Sequence, residues 1–267
     1  MTGVPCESAL EDRLVIVLGT MRSGTSWLVQ LLLAHPEVGG NAAESALFNA
    51  LWDFWENAHS EYGEGVSALL GQGELAVAWR QFSDRIFLAA RDRYSPEASW
   101  FVEKTPGHVD RIPLMAVTYP DAWYVHIVRD GRDVVRSILE SPFGTDDPTD
   151  AAGYWVDAVR KVEQQRWRLP RFREVRYEQL VADPVGEVRG LFEWMGLAVD
   201  ADVNDRLAQR AATEVSRYSS SEPIGPGKWT RFDQRVLDEV QNVAADLLAD
   251  LGYLDGLPGT AGYRGRA

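Results

Sequence analysis

The sequence contains a single cysteine, Cys6, among 267 residues. One cysteine excludes an intramolecular disulfide and a cysteine-ligated metal cage, and it is compatible with a reducing compartment. Long apolar runs are also missing, since the longest, residues 14–18 and 27–34, are too short to cross a bilayer. The acidic beginning, residues 1–13, lacks the pattern of a secretory signal. These absences predict a cytoplasmic protein without a membrane partner.

Basic residues are scarce: 27 Lys and Arg face 40 Asp and Glu, a formal net charge of −13. A broad positive surface for nucleic acid or anionic lipid is therefore not expected. If the chain binds an anionic ligand, its basic groups must be concentrated at one site inside a negative surround.

Internal repeats, low-complexity tracts and long linkers are absent as well, so nothing divides the sequence into separate domains. The composition, 45% hydrophobic and 25% charged, is that of an ordinary globular protein. We predict one domain over residues 1–257, followed by a flexible, glycine-rich tail over residues 258–267.

Strand and helix patterns alternate along the chain. Residues 14–18 (LVIVL) form a short, β-branched-rich apolar run, typical of a strand buried on both faces of a parallel sheet. Similar runs predict strands at residues 100–103, 122–128 and 174–177. Helical patterns follow the first glycine-containing loop from residue 25 and recur at residues 47–59, 74–94, 130–139, 154–169, 185–195 and 235–251. The alternation predicts an α/β fold, with a central parallel sheet and helices on both faces.

The first loop, residues 19–26 (GTMRSGTS), has the frame of a phosphate-binding loop. Gly19 and Gly24 lie five positions apart, and the following helix begins with hydroxyl residues. Such a loop directs backbone N–H groups and the positive end of a helix dipole at an anion. Thr25 stands where nucleotide triphosphatases have a lysine, while Arg22 lies inside the loop. The alternative interpretation is a plain strand-to-helix turn with a surface arginine.

A second basic group follows the strand over residues 122–128. Arg129 lies at the strand exit, where ligands of parallel α/β sheets bind, and Ser137 follows two helical turns later. The pair predicts a second phosphate site. In the alternative interpretation residues 130–133 (DGRD) form only a turn, with Arg132 and Asp133 solvated.

Together these segments resemble the sulfotransferases that use 3′-phosphoadenosine 5′-phosphosulfate (PAPS), most closely the tyrosylprotein-type group. The resemblance extends from about Val15 to near Leu251 and implies the kinase-like P-loop α/β fold of that family. It implies that the first loop grips the 5′-phosphosulfate, and that Arg129 and Ser137 grip the 3′-phosphate. The implied donor-binding residues are Arg22, Ser23, Gly24, Thr25, Ser26, Trp27, Arg129, Ser137, Tyr177 and Lys228.

The resemblance also implies catalytic roles. Arg22 and Lys104 would neutralise charge on the leaving phosphate oxygen, and Glu44 would remove the acceptor proton. His108 remains a second candidate base, although small-molecule members of the family carry their histidine where this chain has Pro106. Without that resemblance, Lys104 reads as a surface lysine and His108 as a loop residue.

Two further segments allow both a functional and a purely structural interpretation. Trp52, Phe54 and Trp55 could form an aromatic wall for an acceptor ring or simply helix core. Residues 219–221 (SSS) resemble a mobile segment before the Lys228 loop, or are a plain polar loop. His35, His59 and His126 show no ligand spacing, so no metal is predicted.

We therefore predict in-line transfer of a sulfuryl group from PAPS to the hydroxyl of a small molecule, such as a natural product, phenol, alcohol or sugar. One alternative is a P-loop kinase or other phosphotransferase, which predicts magnesium-dependent ATP binding. Another is a non-catalytic adenine-nucleotide sensor, which predicts binding of the bisphosphate without turnover. The sequence leaves the acceptor and the oligomeric state open.

Overall fold

The structure, a computed structural model, describes residues 10, 12–40, 43–58, 69–212 and 225–254. The side chains of residues 55–58 and 72 are not among those described. Cys6, residues 219–221 and the predicted tail 258–267 lie outside the described residues, so the domain boundary at residue 257 stays a prediction.

A five-stranded parallel sheet with the order β2-β3-β1-β4-β5 forms the centre of the described fold. The strands are β1 (Leu14–Leu18), β2 (Val38–Gly40), β3 (Trp100–Lys104), β4 (Trp123–Val128) and β5 (Phe172–Arg176). Four of them were predicted. The fifth, β2, was missed because three residues, two of them glycines, carry no strand periodicity.

Ten α-helices are described around this sheet. They are α1 (Thr25–Leu32), α2 (Leu47–Ala58), α3 (Gln72–Tyr94), α4 (Ile112–Thr118), α5 (Gly131–Leu139), α6 (Pro148–Gln165), α7 (Tyr177–Ala182), α8 (Pro184–Met195), α9 (Ala201–Ala212) and α10 (Gln234–Asp250). Short 3-10 helices lie at Pro106–Arg111, Arg166–Arg168 and Lys228–Arg231. None of the helices in the described ranges combines the length and apolarity that crossing a membrane would need.

Both faces of the sheet are covered, as the apolar β1 sequence requires. Val15 and Val17 pack into a core with α1, α7, α8 and α9, while Leu14, Ile16 and Leu18 pack into a second core with α2, α3, α4 and α6. A third core joins α5, α6 and α10 beyond the end of β4. The predicted α/β class with helices on both faces is therefore confirmed.

Differences from the predicted elements occur at their ends and in short helices. The helix predicted over residues 154–169 starts at Pro148, because the Asp147 side chain caps it, and ends at Gln165. Tyr177 was predicted to end a strand but begins α7. The helix α9 was not predicted; Val203 and Leu207 are its buried residues, and both pack against the α1 side of the sheet.

Candidate active site

The predicted site residues gather at the carboxyl edge of the sheet. Because all five strands are parallel, the segments that leave β1, β3, β4 and β5 lie along one edge. These segments carry the phosphate loop, Lys104, Arg129 and Tyr177, and Glu44 lies four residues beyond the end of β2. The topology therefore brings residues more than 150 positions apart into one region.

The phosphate loop has a conformation that suits an anion. Arg22 adopts a positive φ of 69° and Gly24 one of 102°, a left-handed backbone in which successive N–H groups can converge. Buried Ser23 donates its hydroxyl to the carbonyl oxygen of Thr20 at 2.7 Å and closes the loop on itself. The helix α1 then begins with no side-chain cap and no acidic residue in its first turn. Its positive end is left to attract an anion.

Tyr177 lies directly against this loop. A Cβ atom built on Gly24 would stand 2.7 Å from Cδ2 of the tyrosine ring, so only glycine allows the contact. Trp27 meets the same ring edge-on, with the centroids 6.1 Å apart. The structure thus brings Tyr177, predicted from a distant segment, to the first turn of α1.

The two predicted phosphate motifs meet through Arg22. Its Nε donates to Oγ of Ser137 at 2.8 Å, and its carbonyl oxygen accepts from Nη1 of Arg129 at 3.1 Å. Burial, and then the charge of Arg129, lowers the pKa of the Arg22 guanidinium. Two cations held this close in a chain of net charge −13 form the concentrated basic site expected for an anionic ligand.

Arg129 is itself fixed by its surroundings. Its guanidinium lies 4.2 Å from the centroid of the Tyr177 ring, and its side chain is 8% exposed. Its Nε is buried and has no hydrogen-bond partner within the described part of the chain. A buried donor of this kind has hydrogen-bonding capacity to spare for a bound anion.

Arg132 and Asp133, which could have been a solvated pair, are both buried, so that interpretation is wrong. Arg132 forms an ion pair with Asp130 at 2.7 Å, which compensates for burying its charge. Asp130 also caps α5 by accepting from the backbone N–H of Arg132. The guanidinium of Arg132 stacks on the ring of Trp229, 3.7 Å from its centroid.

Lys228 belongs to a segment that we call the Lys228 turn, residues 225–231. Asp133 accepts hydrogen bonds from the backbone N–H groups of Gly227 and Trp229, at 2.8 and 2.9 Å. Arg136 donates to the carbonyl oxygen of Lys228. These bonds join the turn to α5, so the predicted lysine lies on the same side of the site as Arg129. Sequence reasoning missed Asp133 and Arg136, since no spacing signal marks them.

Glu44 and Lys104 form an ion pair, with Nζ and Oε1 3.0 Å apart. The lysine side chain is 2% exposed, so the surface-lysine interpretation is wrong, whereas that of Glu44 is 53% exposed. A buried ammonium needs such a partner. The pair therefore places a carboxylate at the surface of the site, directly beside a buried cation.

Glu103, next to Lys104, is also buried and lies at the centre of a polar cluster. Its carboxylate accepts from Ser45 at 2.7 Å and Thr105 at 3.0 Å and lies 2.9 Å from Nδ1 of His108. Burial raises the pKa of Glu103, but the charge and hydrogen bond of His108 and the two hydroxyls outweigh it and leave the pKa below its ordinary value. His108 is fully buried here, so it is not the loop residue that its glycine neighbour suggested.

The aromatic candidates behave differently from one another. Trp52 packs against the core that contains α2, and the guanidinium of Arg111 lies 5.3 Å from the centroid of the Trp52 ring. Phe54, in contrast, is 55% exposed. The side chain of Trp55 lies outside those described. Tyr154 was not predicted from the sequence. Burial raises the pKa of its hydroxyl overall, although it also lies close to the backbone of Met21 in the phosphate loop, which lowers that pKa. It therefore lies at the same edge of the sheet as Glu44.

The arrangement offers two cationic side chains, Arg22 and Arg129, and, at the same edge of the sheet, a carboxylate paired with a buried lysine. Such a set can hold a nucleotide that carries two separate anionic groups and can take a proton from a bound hydroxyl. Over the described ranges, no group of three or more His, Cys, Asp or Glu side chains is placed to hold a metal ion.

The sequence of this chain is similar to those of known sulfotransferases. A model described as the sulfotransferase family matches residues 15–201. The omega-hydroxy-beta-dihydromenaquinone-9 sulfotransferase Stf3 of Mycobacterium bovis is 30% identical over 152 residues, 51% of this chain and 39% of that protein. Protein-tyrosine sulfotransferase 1 of Danio rerio is 23% identical over 259 residues, 90% of this chain and 72% of that protein. The chain thus spans about two fifths of the length of the mycobacterial relatives.

Solved structures share the fold. The sulfotransferase domain of the Synechococcus PCC 7002 olefin synthase superposes with a TM-score of 0.54 at 19% identity, covering 92% of this chain and 95% of that domain. Mouse sulfotransferase SULT7A1 complexed with PAP superposes with a TM-score of 0.51 at 12% identity, covering 91% and 87% of the two chains. At these identities the likeness shows the architecture alone.

Proposed function

Because the chain belongs to the sulfotransferase family, we propose that it transfers a sulfuryl group from PAPS to a hydroxyl group. The observation that carries the proposal is the meeting of the two phosphate motifs, in which Arg22 bonds to Ser137 and to Arg129. PAPS has two separate anionic ends, a 5′-phosphosulfate and a 3′-phosphate. Two adjoining cationic points suit that ligand better than one.

This arrangement supports the donor-binding residues that we propose. The phosphate loop and the first turn of α1 would hold the 5′ end through backbone N–H groups, with Arg22, Ser23, Gly24, Thr25, Ser26 and Trp27 as the residues involved. Arg129 and Ser137 would hold the 3′-phosphate, while Tyr177 would contact the nucleotide and Lys228 would lie on the loop that closes over it. The buried Nε of Arg129, with no partner among the described residues, supports this assignment.

PAPS, when bound, supplies the sulfuryl group and leaves adenosine 3′,5′-bisphosphate. Glu44 accepts the proton of the acceptor hydroxyl, a role that its half-exposed position beside a buried cation favours. Lys104 and Arg22 stabilise negative charge on the leaving phosphate oxygen. No metal is part of this proposal, since the charge is neutralised by these side chains. His108 is the less favoured base because it is buried against Glu103.

A small molecule is the acceptor that we propose. The mycobacterial relative named for a hydroxylated menaquinone supports this choice, since it shares 30% identity over 152 residues. The protein-tyrosine sulfotransferases match more of the chain at lower identity, so a tyrosine hydroxyl is the alternative acceptor. We infer a natural product, phenol, alcohol or sugar, and a cytoplasmic location as the sequence predicts.

Calorimetric titration with adenosine 3′,5′-bisphosphate tests the donor site. We expect binding that does not depend on magnesium, that ATP does not displace efficiently, and that Arg129→Ala abolishes. A magnesium-dependent preference for ATP would overturn the proposal in favour of a phosphotransferase.

Incubation with ³⁵S-labelled PAPS and a panel of hydroxylated quinones, phenols, sugars and tyrosine peptides tests the transfer. Label should appear on at least one small-molecule acceptor and not with the Arg129→Ala variant. Tight bisphosphate binding with no transfer to any acceptor, and no slow hydrolysis of PAPS, would instead support a nucleotide sensor.

A further inference from the structure

Asp133 occupies a position that the transfer chemistry itself does not explain. It lies in the first turn of α5, four residues after Arg129, and its side chain is completely buried. A buried carboxylate is costly unless its charge and its oxygen atoms are both compensated. The identity of its partners therefore shows what this residue does.

Those partners come from two parts of the site. Oδ2 accepts from the backbone N–H of Gly227 at 2.8 Å and lies 3.6 Å from Nη2 of Arg129. Oδ1 accepts from the backbone N–H of Trp229 at 2.9 Å. One carboxylate thus contacts both the strand-exit arginine and the backbone on either side of Lys228.

Neighbouring contacts hold the Lys228 turn in the same place. Arg136 bonds to the Lys228 carbonyl oxygen, and Arg132 stacks on the Trp229 ring. Arg129 also donates to the carbonyl oxygen of Gly225 at 3.4 Å. Asp133 differs from these in that it bonds to the turn at two backbone positions and approaches Arg129 as well.

We propose that Asp133 is a positioning residue for nucleotide binding, which holds the Lys228 turn against Arg129 so that both cations address one nucleotide. The inference rests on the proposed function, since it assigns Lys228 and Arg129 to the same ligand. Because Asp133 orders the turn before the nucleotide binds, binding loses less conformational entropy of the turn. Asparagine cannot replace it, because an amide has one acceptor oxygen for two backbone N–H groups.

The variant Asp133→Asn tests the proposal in the full chain. We expect the dissociation constant for adenosine 3′,5′-bisphosphate to rise at least about ten-fold, as the loss of a hydrogen bond to a charged group implies. The KM for PAPS should rise in parallel, while kcat at saturating PAPS stays within about two-fold. The control is Asp183→Asn, because that exposed carboxylate accepts from the backbone N–H of Gly186 at the start of α8. This control should leave both constants unchanged.

A double-mutant cycle with Lys228→Ala separates positioning from general damage to the fold. If Asp133 acts through the turn, the loss of affinity in the double variant is clearly smaller than the product of the two single losses. Independent, multiplicative losses would overturn the inference, and so would unchanged affinity in Asp133→Asn. A fall in kcat alone, with KM unchanged, would also contradict it.

Hydrogen exchange in the wild-type protein covers the case in which the variant does not fold. The amides of Gly227 and Trp229 should be protected before any nucleotide is added, and rapid exchange of both would overturn the proposal. Failure of the wild-type chain to bind the bisphosphate at all is a different outcome. That result contradicts the proposed function, whereas normal wild-type binding with an unaffected variant contradicts only the role of Asp133.

Discussion

At the scale of single residues, burial changes what a charged side chain can do. Lys104 is 2% exposed, and its ammonium forms an ion pair with the carboxylate of Glu44. The same contact orients Glu44, whose 53% exposure leaves it accessible to an acceptor. A base that is both held in place and open to solvent meets the geometric requirement for proton transfer better than His108, which is fully buried.

Replacing Glu44 tests this assignment. We expect Glu44→Gln to lower kcat by a factor of about 10² to 10⁴, the usual contribution of a general base, with unchanged affinity for adenosine 3′,5′-bisphosphate. Steady-state kinetics and calorimetry measure the two quantities. The matched control is Glu37→Gln, because Glu37 is exposed just before β2, at the opposite edge of the sheet. Wild-type turnover in Glu44→Gln together with loss of activity in His108→Gln would assign the base to His108.

At the scale of elements, the phosphate loop depends on how closely α1 approaches Tyr177. Gly24 has a φ of 102°, a conformation that residues with a Cβ rarely adopt. It also lies where a Cβ would collide with the tyrosine ring at 2.7 Å. Backbone conformation and packing thus each exclude any other residue at this position. A substitution of Gly24 should therefore disturb the loop.

The variant Gly24→Ala should therefore lose stability by roughly 1–3 kcal/mol and lose measurable affinity for the bisphosphate. Denaturant unfolding and calorimetry measure the two effects. Gly153→Ala is the control, since Gly153 lies inside α6 with no atom within 4 Å of an added Cβ. It should be neutral or stabilising by up to about 1 kcal/mol. Equal behaviour of the two variants would show that the loop geometry described here is wrong.

At the scale of the whole molecule, the buried cluster around Glu103 joins three parts of the chain. Its carboxylate connects the end of β3 to Ser45, ahead of α2, and to His108 in the 3-10 helix Pro106–Arg111. The backbone N–H of Ala46 adds a bond to Thr105. Because Ser45 follows Glu44, the stability of the fold and the placement of the proposed base depend on the same carboxylate.

Acid should reveal this cluster in the stability of the chain. The pKa of Glu103 lies below its ordinary value of 4.5 in the folded state, so its contribution is full above about pH 4.5 and is lost as the pH falls through the folded-state pKa. We expect Glu103→Gln to be less stable than wild type by roughly 3 kcal/mol at pH 7, as breaking a buried pair implies. That difference should narrow as the pH falls below about 4.5.

Chemical denaturation from pH 7 to pH 3 measures the effect. The control variant is Glu97→Gln, at an exposed position. It shows how much of the change in the free energy of unfolding comes simply from removing one negative charge from a chain of net charge −13. If the difference in the free energy of unfolding between Glu103→Gln and wild type stays constant with pH, Glu103 is not a buried, charged carboxylate.

Local patterns were sufficient to predict the fold class and the position of the two phosphate motifs. The apolar run of β1, the glycine spacing of residues 19–24 and the arginine after β4 depend only on neighbours in the chain. The missed strand β2 is too short for such a pattern, and α9 is stabilised chiefly by packing its apolar side chains onto a distant core.

The sequence by itself therefore determined an α/β chain, a glycine-containing loop with the frame of a phosphate-binding loop, a cationic strand exit and a set of candidate side chains. Only the tertiary structure decided their partners: Glu44 for Lys104 across 60 positions, and Asp133 for Gly227 across 94. It also decided that Arg132 and Asp133 are buried rather than solvated. The physical reason is that burial and pairing depend on which distant elements pack together, whereas periodicity and backbone preference depend on adjacent residues.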